Sequence, residues 1–306
     1  MNSKDFRKKI KQLKIDDELR FAGLDSSFSF IFLSDYTDDY FYKYNIEGFK
    51  LEKELKNFNN LHLGDTIINL DKKFLSLDYL EINLINFEES HISNLIRSDN
   101  CLEYSNFIDE TNYILYQENN YKCYIYDLDS RKIIYDFIIE TKWNKFIKIN
   151  SSIYKNNKII CSASCTGWGF IIFIDVKNKN IEIYEEPKYI WDIMSFDKDK
   201  IIGIKAIEES YNYSQIFLFD VNKRKFSNLL EQQFRVSNIY FYSEKEILFF
   251  EGKKIVVFNL ENRNKNYIDF SEHISLELIF PREKYLNKFM VHDRSKNYLY
   301  FYEIQK

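Results

Sequence analysis

The chain has 306 residues, 43 Lys and Arg against 47 Asp and Glu, a formal net charge of −4 and 18% aromatic residues. That balance argues against a chain-wide electrostatic footprint for nucleic acid, and the longest apolar run, Phe170 to Ile174, is far short of the ~20 residues a membrane-spanning helix needs. Abundant Ile, Phe and Tyr, with Ala only at 22, 163 and 206, lean the chain toward strands, although an AT-rich genome would enrich the same residues.

Met1 to Lys14 is polar and Lys-rich without the apolar stretch of a secretory signal, so a cytoplasmic location is expected. Four scattered cysteines, Cys101, Cys123, Cys161 and Cys165, fit a reduced compartment. Within the N-terminal segment, Arg7 to Ile15 precedes an apolar strand at Leu19 to Leu24. Phe6, Ile10 and Leu13 also fall at helical spacing, so strand and helix compete here. The second repeat, Asp65 to Leu95, has the weakest pattern and leaves only a tight turn at Asp78-Tyr79.

From there a phrase recurs: a β-rich run ending in Asp or Asn, an aliphatic residue, a few polar residues, then another strand. It reads Tyr124-Ile125-Tyr126-Asp127-Leu128, Phe173-Ile174-Asp175-Val176, Leu218-Phe219-Asp220-Val221 and Val257-Phe258-Asn259-Leu260. Weaker copies end at Asn45, Asn86 and Glu303, so the anchors recur every ~40 to 50 residues, the size of a propeller blade. Each repeat parses into four strands, a to d from the inside outward. In the fourth repeat these begin at Ser152, Lys158, Phe170 and Ile181; in the fifth at Ile190, Lys200, Ser214 and Phe226; in the sixth at Val236, Glu246, Ile255 and Tyr267. The Asp and Asn anchors read as turn builders, because such a side chain accepts a hydrogen bond from backbone two residues on.

Seven anchors imply seven repeats, and the last has no room for an outer strand before Lys306. The segment within Arg7 to Ile15 is expected to supply it, removing the open edge. The expected fold is all-β: a seven-bladed β-propeller of four-stranded antiparallel blades, closed by an N-terminal strand, forming a single domain over residues 1–306. Six blades with an irregular entry is the alternative. The pattern resembles the β-propeller superfamily, most closely WD40-like or quinoprotein-like repeat proteins. The WD40 signature places Trp-Asp at the end of strand c, where this chain has Tyr126-Asp127, Phe219-Asp220 and Phe258-Asn259; its single Trp-Asp pair, Trp191-Asp192, falls on a strand a. The quinone-binding branch is similar around Asp175 to Lys179, but its Thr-Gly-Lys turn and docking Trp are missing, so no cofactor is carried over.

No phosphate-binding Gly loop, zinc-helix motif or nucleophile elbow is present. Cys161 and Cys165 lack a matching pair and read as small buried hydrophobes. The histidines at 62, 91, 273 and 292 are scattered, and Glu103, Asp192 and Glu277 are the carboxylates expected to line a central channel. No metal is expected.

Sorting turns by side gives the functional expectation. The b to c turns carry Asp35, Tyr36, Asp38, Asp39, Tyr121, Trp168, Glu208, Glu209, Tyr211 and Tyr213, which makes them acidic and aromatic. The c to d turns carry Arg131, Lys132, Lys177, Lys179, Lys223, Arg224, Lys225, Arg263 and Lys265. Rigid aromatic area among carboxylates suits a basic protein partner. The expected function is a non-enzymatic interaction module, such as an inhibitor or immunity-type protein, binding neither nucleic acid nor membrane. A channel-site enzyme, a glycan hydrolase or lyase, is the alternative.

Overall fold

A computed structural model describes residues 7–25, 27–35, 37, 40–56, 66–70, 73–77, 80–108, 110–141, 146–207, 213–232, 236, 239–251, 254–269, 276–279 and 288–304. Strand β1 (Arg7–Lys14) comes first. The first blade is β2 (Leu19–Leu24), β3 (Phe30–Asp35), β4 (Tyr40–Asn45) and β5 (Lys50–Lys56); the second is β6 (Thr66–Leu70), β7 (Lys73–Leu77), β8 (Glu81–Asn86) and β9 (His91–Arg97). The third is β10 (Leu102–Ile108), β11 (Tyr113–Glu118), β12 (Lys122–Asp127) and β13 (Lys132–Ile138); the fourth is β14 (Lys148–Lys155), β15 (Lys158–Cys165), β16 (Trp168–Asp175) and β17 (Asn180–Glu186). The fifth is β18 (Ile190–Asp197), β19 (Lys200–Ala206), β20 (Ser214–Asp220) and β21 (Lys225–Gln232), and the sixth is β22 (Ile239–Ser243), β23 (Glu246–Glu251), β24 (Lys254–Asn259) and β25 (Lys265–Asp269). Strands β26 (Leu276–Ile279), β27 (Lys288–Asp293) and β28 (Tyr298–Ile304) complete the order.

Six sheets follow chain order, and the seventh runs β1-β28-β27-β26. Strand β1 pairs antiparallel with β28 from Arg7 opposite Ile304 to Lys14 opposite Tyr298. The Ile15 amide donates to the Asn297 carbonyl at 2.9 Å. The N-terminal segment is therefore the closing strand, and the competing helix does not form: β28 offers it a full row of backbone partners.

The chain divides into two compact units. The first comprises Met1–Arg97, Tyr240–Leu248 and Lys253–Lys306; the second comprises Ser98–Ile239 and Phe249–Gly252. In the first unit, Phe32, Phe41, Phe74 and Phe87 fill the space between the first two blades, with Phe32 and Phe74 meeting edge to face at 4.9 Å. Ile31, Met290, Leu299 and Phe301 join the first blade to the seventh. In the second unit, Ile125, Cys161 and Ile172 belong to a cluster spanning blades three and four, and Phe173, Ile193 and Phe219 to one spanning blades four and five. The inner strand of the fourth blade starts at Lys148, earlier than sequence suggests, because the buried Ile147 and Ile149 draw the preceding segment inward.

The anchors build one recurring turn. Asp220 accepts from the Asn222 and Lys223 amides at 3.1 and 2.8 Å, and Asn259 accepts from Glu261 and Asn262 at 3.0 and 3.1 Å. Asn86 does the same for Glu88 and Glu89, Asp127 for Asp129 and Ser130, and Asp175 for Asn178. Four residues beyond each anchor the backbone turns left-handed, at Phe49, Ser90, Arg131, Lys179, Arg224 and Arg263, with φ between 47° and 59°. None of the six is Gly, the residue that takes this conformation without cost. Hydrogen bonds from Asn178 hold the Asp175 carboxyl below the usual range, and the Lys223 amide does so for Asp220.

Arg224 departs from the reading of these turns as a free basic surface. Its guanidinium stacks on Phe173 at 3.9 Å and Tyr184 at 4.7 Å and bonds Glu182 at 3.0 Å, tying blade five to blade four. Lys158 bonds the same carboxylate at 2.7 Å, and that bond leads in holding Glu182 below its ordinary pKa.

Because Lys179 is left-handed, Lys179→Val is expected to lower stability by about 1–2 kcal/mol, whereas Lys179→Gly leaves it unchanged or higher. Urea denaturation of the two variants checks the contrast.

Candidate interaction face

Strands alternate in direction, so within the second unit the b to c turns and the d to a connectors emerge on one side, here the connector side. The c to d turns with their anchors emerge on the other.

The connectors leaving blades three, four and five are each held by the blade they leave. Gln117 on β11 donates to the Ile147 carbonyl at 2.8 Å and accepts from the Ile149 amide at 2.9 Å. The Ser164 hydroxyl on β15 donates to the Ile190 carbonyl at 3.4 Å, and the Ser214 hydroxyl on β20 accepts from the Val236 amide at 2.8 Å. At the fourth blade the fit is tight enough to require Gly169: a Cβ there would lie 2.2 Å from the Lys188 carbonyl oxygen and 2.8 Å from the Ile190 nitrogen.

These clamps put connector aromatics beside turn aromatics. Phe146, 65% exposed, meets Tyr121 edge to face at 5.2 Å. Tyr121 itself occupies a left-handed position, φ 66°, closing a turn in which its amide donates to the Glu118 carbonyl at 2.9 Å. Trp168, 43% exposed, leads out of a two-residue hairpin whose centre, Thr166 and Gly167, has both φ values positive. Tyr189 and Trp191, 6.2 Å apart, lie on and just after the connector that passes Gly169. Tyr213 is 38% exposed beside Ser214.

This side carries charges of both signs, with Lys188 on the connector between Glu185 and Tyr189. Lys122 bonds Asp136 at 2.8 Å, Lys205 bonds Glu186 at 2.7 Å in a nearly buried pair, and Lys148 is held by Glu103. The exposed Glu140 and Glu185 end or follow outer strands without a described cationic partner. Glu118 is buried yet meets only neutral donors: Ser98 at 2.6 Å, Asn120 at 3.0 Å, and Asn100 and Tyr124 at 3.2 Å. Beside it, burial pushes the Tyr116 hydroxyl, stacked on Tyr124 at 4.8 Å, well above its usual range.

Of the residues expected from sequence, Tyr121, Trp168 and Tyr213 share this side of the second unit. Asp35 belongs to the first unit, where its carboxylate accepts from the Tyr40 amide at 3.3 Å and the Thr37 hydroxyl at 3.2 Å, closing its own turn. Tyr36, Asp38, Asp39, Glu208, Glu209 and Tyr211 lie outside the described residues, as does the side chain of Glu277. Sequence reasoning missed Phe146, Tyr189, Glu140 and Glu185; a tally of d to a connectors alongside the turns would have found them. Cys123 and Cys161 pack in the core, where burial raises the thiol pKa, to about 12 for Cys123.

No family model and no curated protein sequence matches the chain. Solved structures do. The β-propeller domain of Cps50 (Swd1) from Myceliophteria thermophila superposes with a TM-score of 0.67 at 9% identity, covering 96% of this chain and 100% of that one. The Pan2 WD40 domain from Neurospora crassa gives 0.68 at 12% identity, covering 100% and 97%. The fold is a seven-bladed β-propeller that matches these domains in structure. Tyr126, Phe219 and Phe258 lie near the ends of their strands c as buried rings, and Trp191-Asp192 lies on the inner strand β18.

Gly169→Ala is expected to cost about 1–3 kcal/mol, the usual penalty of forced overpacking, and to shift the fluorescence of the adjacent Trp168. An unchanged denaturation midpoint would contradict the proposed close approach.

Proposed function

We propose that this propeller is a non-enzymatic protein-interaction module that presents the connector side of its second unit to a basic protein. The observation that carries the reading is the placement of exposed rings: Phe146, Trp168 and Tyr213, the exposed aromatic residues described in this unit, all lie on that side. Aromatic side chains bring large, stiff contact area and dominate binding hot spots. Phe146 is already braced by Tyr121, so little freedom is lost on contact.

The sign of the charge supports a basic partner. The lysines at 122, 148 and 205 are committed to internal pairs, and in this reading Glu140 and Glu185 attract and orient a cationic surface against the single opposing charge of the described Lys188. In sequence, Glu208, Glu209 and Tyr211 lie between β19 and β20, and Tyr36, Asp38 and Asp39 between β3 and β4 after Asp35; in this proposal they add acidic and aromatic contacts. An inhibitor or immunity-type protein that covers a basic target is the form of the reading this charge pattern supports. The buried, high-pKa thiols suit a reducing compartment such as the cytoplasm. Of the carboxylates considered for a channel enzyme, Glu103 is held by Lys148, and Asp192 accepts from the Ile193 amide at 2.8 Å, which favours binding over catalysis.

The test compares immobilised wild type, F146A/W168A/Y213A and, from the opposite side, K177E/K179E. A partner identified by mass spectrometry and then purified should bind the triple variant at least about tenfold more weakly, a loss of about 1.4 kcal/mol, and bind K177E/K179E as it binds wild type. The reverse pattern, or an acidic partner, rejects the reading.

A further inference from the structure

The left-handed residues of the c to d turns fall into two groups. Ser90, Arg131, Lys179 and Arg263 are exposed, whereas Phe49 and Arg224 are partly covered. What covers each of these two is an aromatic ring of the neighbouring blade, two residues before that blade's anchor. In the first unit Phe49 meets Phe301 edge to face at 5.2 Å, and Phe301 precedes Glu303 by two. In the second unit Arg224 lies over Phe173 at 3.9 Å, and Phe173 precedes Asp175 by two. The third blade has Ile125 at this position. There the left-handed Lys179 of the next blade stays exposed and only its carbonyl is engaged, accepting from the Tyr135 hydroxyl at 3.1 Å. Phe49 thus answers a ring with a ring, and Arg224 answers one with a planar cation.

The fourth blade assembles the slot that Arg224 fills. Phe173 on β16 and Glu182 on β17 are cross-strand partners, and Tyr184 lies two residues on, along the same face of β17. The rings of Phe173 and Tyr184 stand nearly perpendicular, 5.5 Å apart. Glu182 is fixed from within the blade: Lys158 donates to one carboxylate oxygen at 2.7 Å and the Tyr184 hydroxyl to the other at 3.1 Å. None of these contacts involves Arg224. Two rings and an oriented carboxylate are therefore in place for a flat cation, which gains from both stacking and a charge-assisted bond.

We propose that Phe173, Tyr184 and Glu182 form a guanidinium receptor on the fourth blade, with Arg224 of the fifth blade as its resident ligand.

The contacts of the occupant fit that role. Its guanidinium carbon lies 3.9 Å from the centre of the Phe173 ring and 4.7 Å from that of Tyr184, and Nη2 donates to Glu182 at 3.0 Å. Nη1 is buried with no hydrogen-bond partner among the described residues, so stacking and the single bond through Nη2 make up the grip. Both belong to the planar head, and a small guanidinium can reproduce them without the rest of the side chain. The Arg224 side chain keeps 27% of its surface exposed, which leaves the slot open to solvent. An ammonium presents a compact, strongly hydrated charge with no plane to stack, so the receptor selects guanidinium over ammonium.

The test uses the full chain carrying Arg224→Ala, which frees the slot and keeps a non-glycine residue at the left-handed position, so that strain is not relieved. Its urea midpoint should fall below that of wild type. Methylguanidinium at about 10 mM, roughly tenfold above a dissociation constant of about 1 mM, should restore half or more of the lost midpoint and leave wild type unmoved. Methylammonium at the same concentration should restore nothing, and the double variant F173L/R224A should gain nothing from either cation. Equal rescue by both cations, rescue by neither, or rescue of F173L/R224A overturns the receptor. Should R224A fail to fold, NMR of the wild-type Arg224 side chain decides. Proton shifts moved upfield by the two rings support the proposal, and the shifts of free arginine overturn it.

Discussion

The structure depends on the way a strand-ending Asp or Asn gathers the amides of the turn that follows. Four or five residues must reverse the chain between the third and outer strands, and each reversal leaves backbone donors with no sheet partner. The anchor side chain takes two of them at Asn86, Asp127, Asp220 and Asn259, and the left-handed residue four positions on brings the chain back into register. With one side of each blade fixed by the same short device, length and composition can vary on the other side without disturbing strand pairing. That division is why the exposed rings of the second unit gather where the turns differ.

The connector side is held by a different device, less regular but equally local. Gln117, Ser164 and Ser214 are unlike in chemistry yet each bonds the backbone of the connector leaving its own blade. Gly169 adds a close approach that no other residue could make. A connector pinned in this way can expose Phe146 at a fixed position, which a free loop could not do. Arg224 shows the same economy on the opposite side, where a turn residue reaches back over two rings to Glu182 and becomes part of the packing between blades.

Much of the architecture is legible in the chain because it is periodic. The anchors at Asp127, Asp175, Asp220 and Asn259 announce four turns directly, and the pairing of β1 with β28 meets the expectation of a closing strand from the N-terminal segment. What is not periodic is harder to read. Phe146 and Tyr189 fall between strands, in stretches with no alternation to mark which ring will be covered. Arg224 is indistinguishable in sequence from the exposed Arg131, because stacking on Phe173 depends on a residue some fifty positions away. Asp35 looks like a surface carboxylate, but its oxygens close its own turn.

The scarcity of glycine links these observations. With 7 glycines in 306 residues, the chain fills left-handed positions with whatever is available, and thirteen described non-glycine residues have positive φ against one glycine. Such backbone strain is therefore general here, and Tyr121 is not marked as functional by its φ of 66°. Its exposed neighbour Phe146, braced against it on the side where the uncommitted carboxylates lie, is the stronger reason to place recognition there. Strain spread over many turns lowers stability a little at each, and contacts such as Arg224 stacked on Phe173 and bonded to Glu182 offset it by joining neighbouring blades that the sheets leave separate.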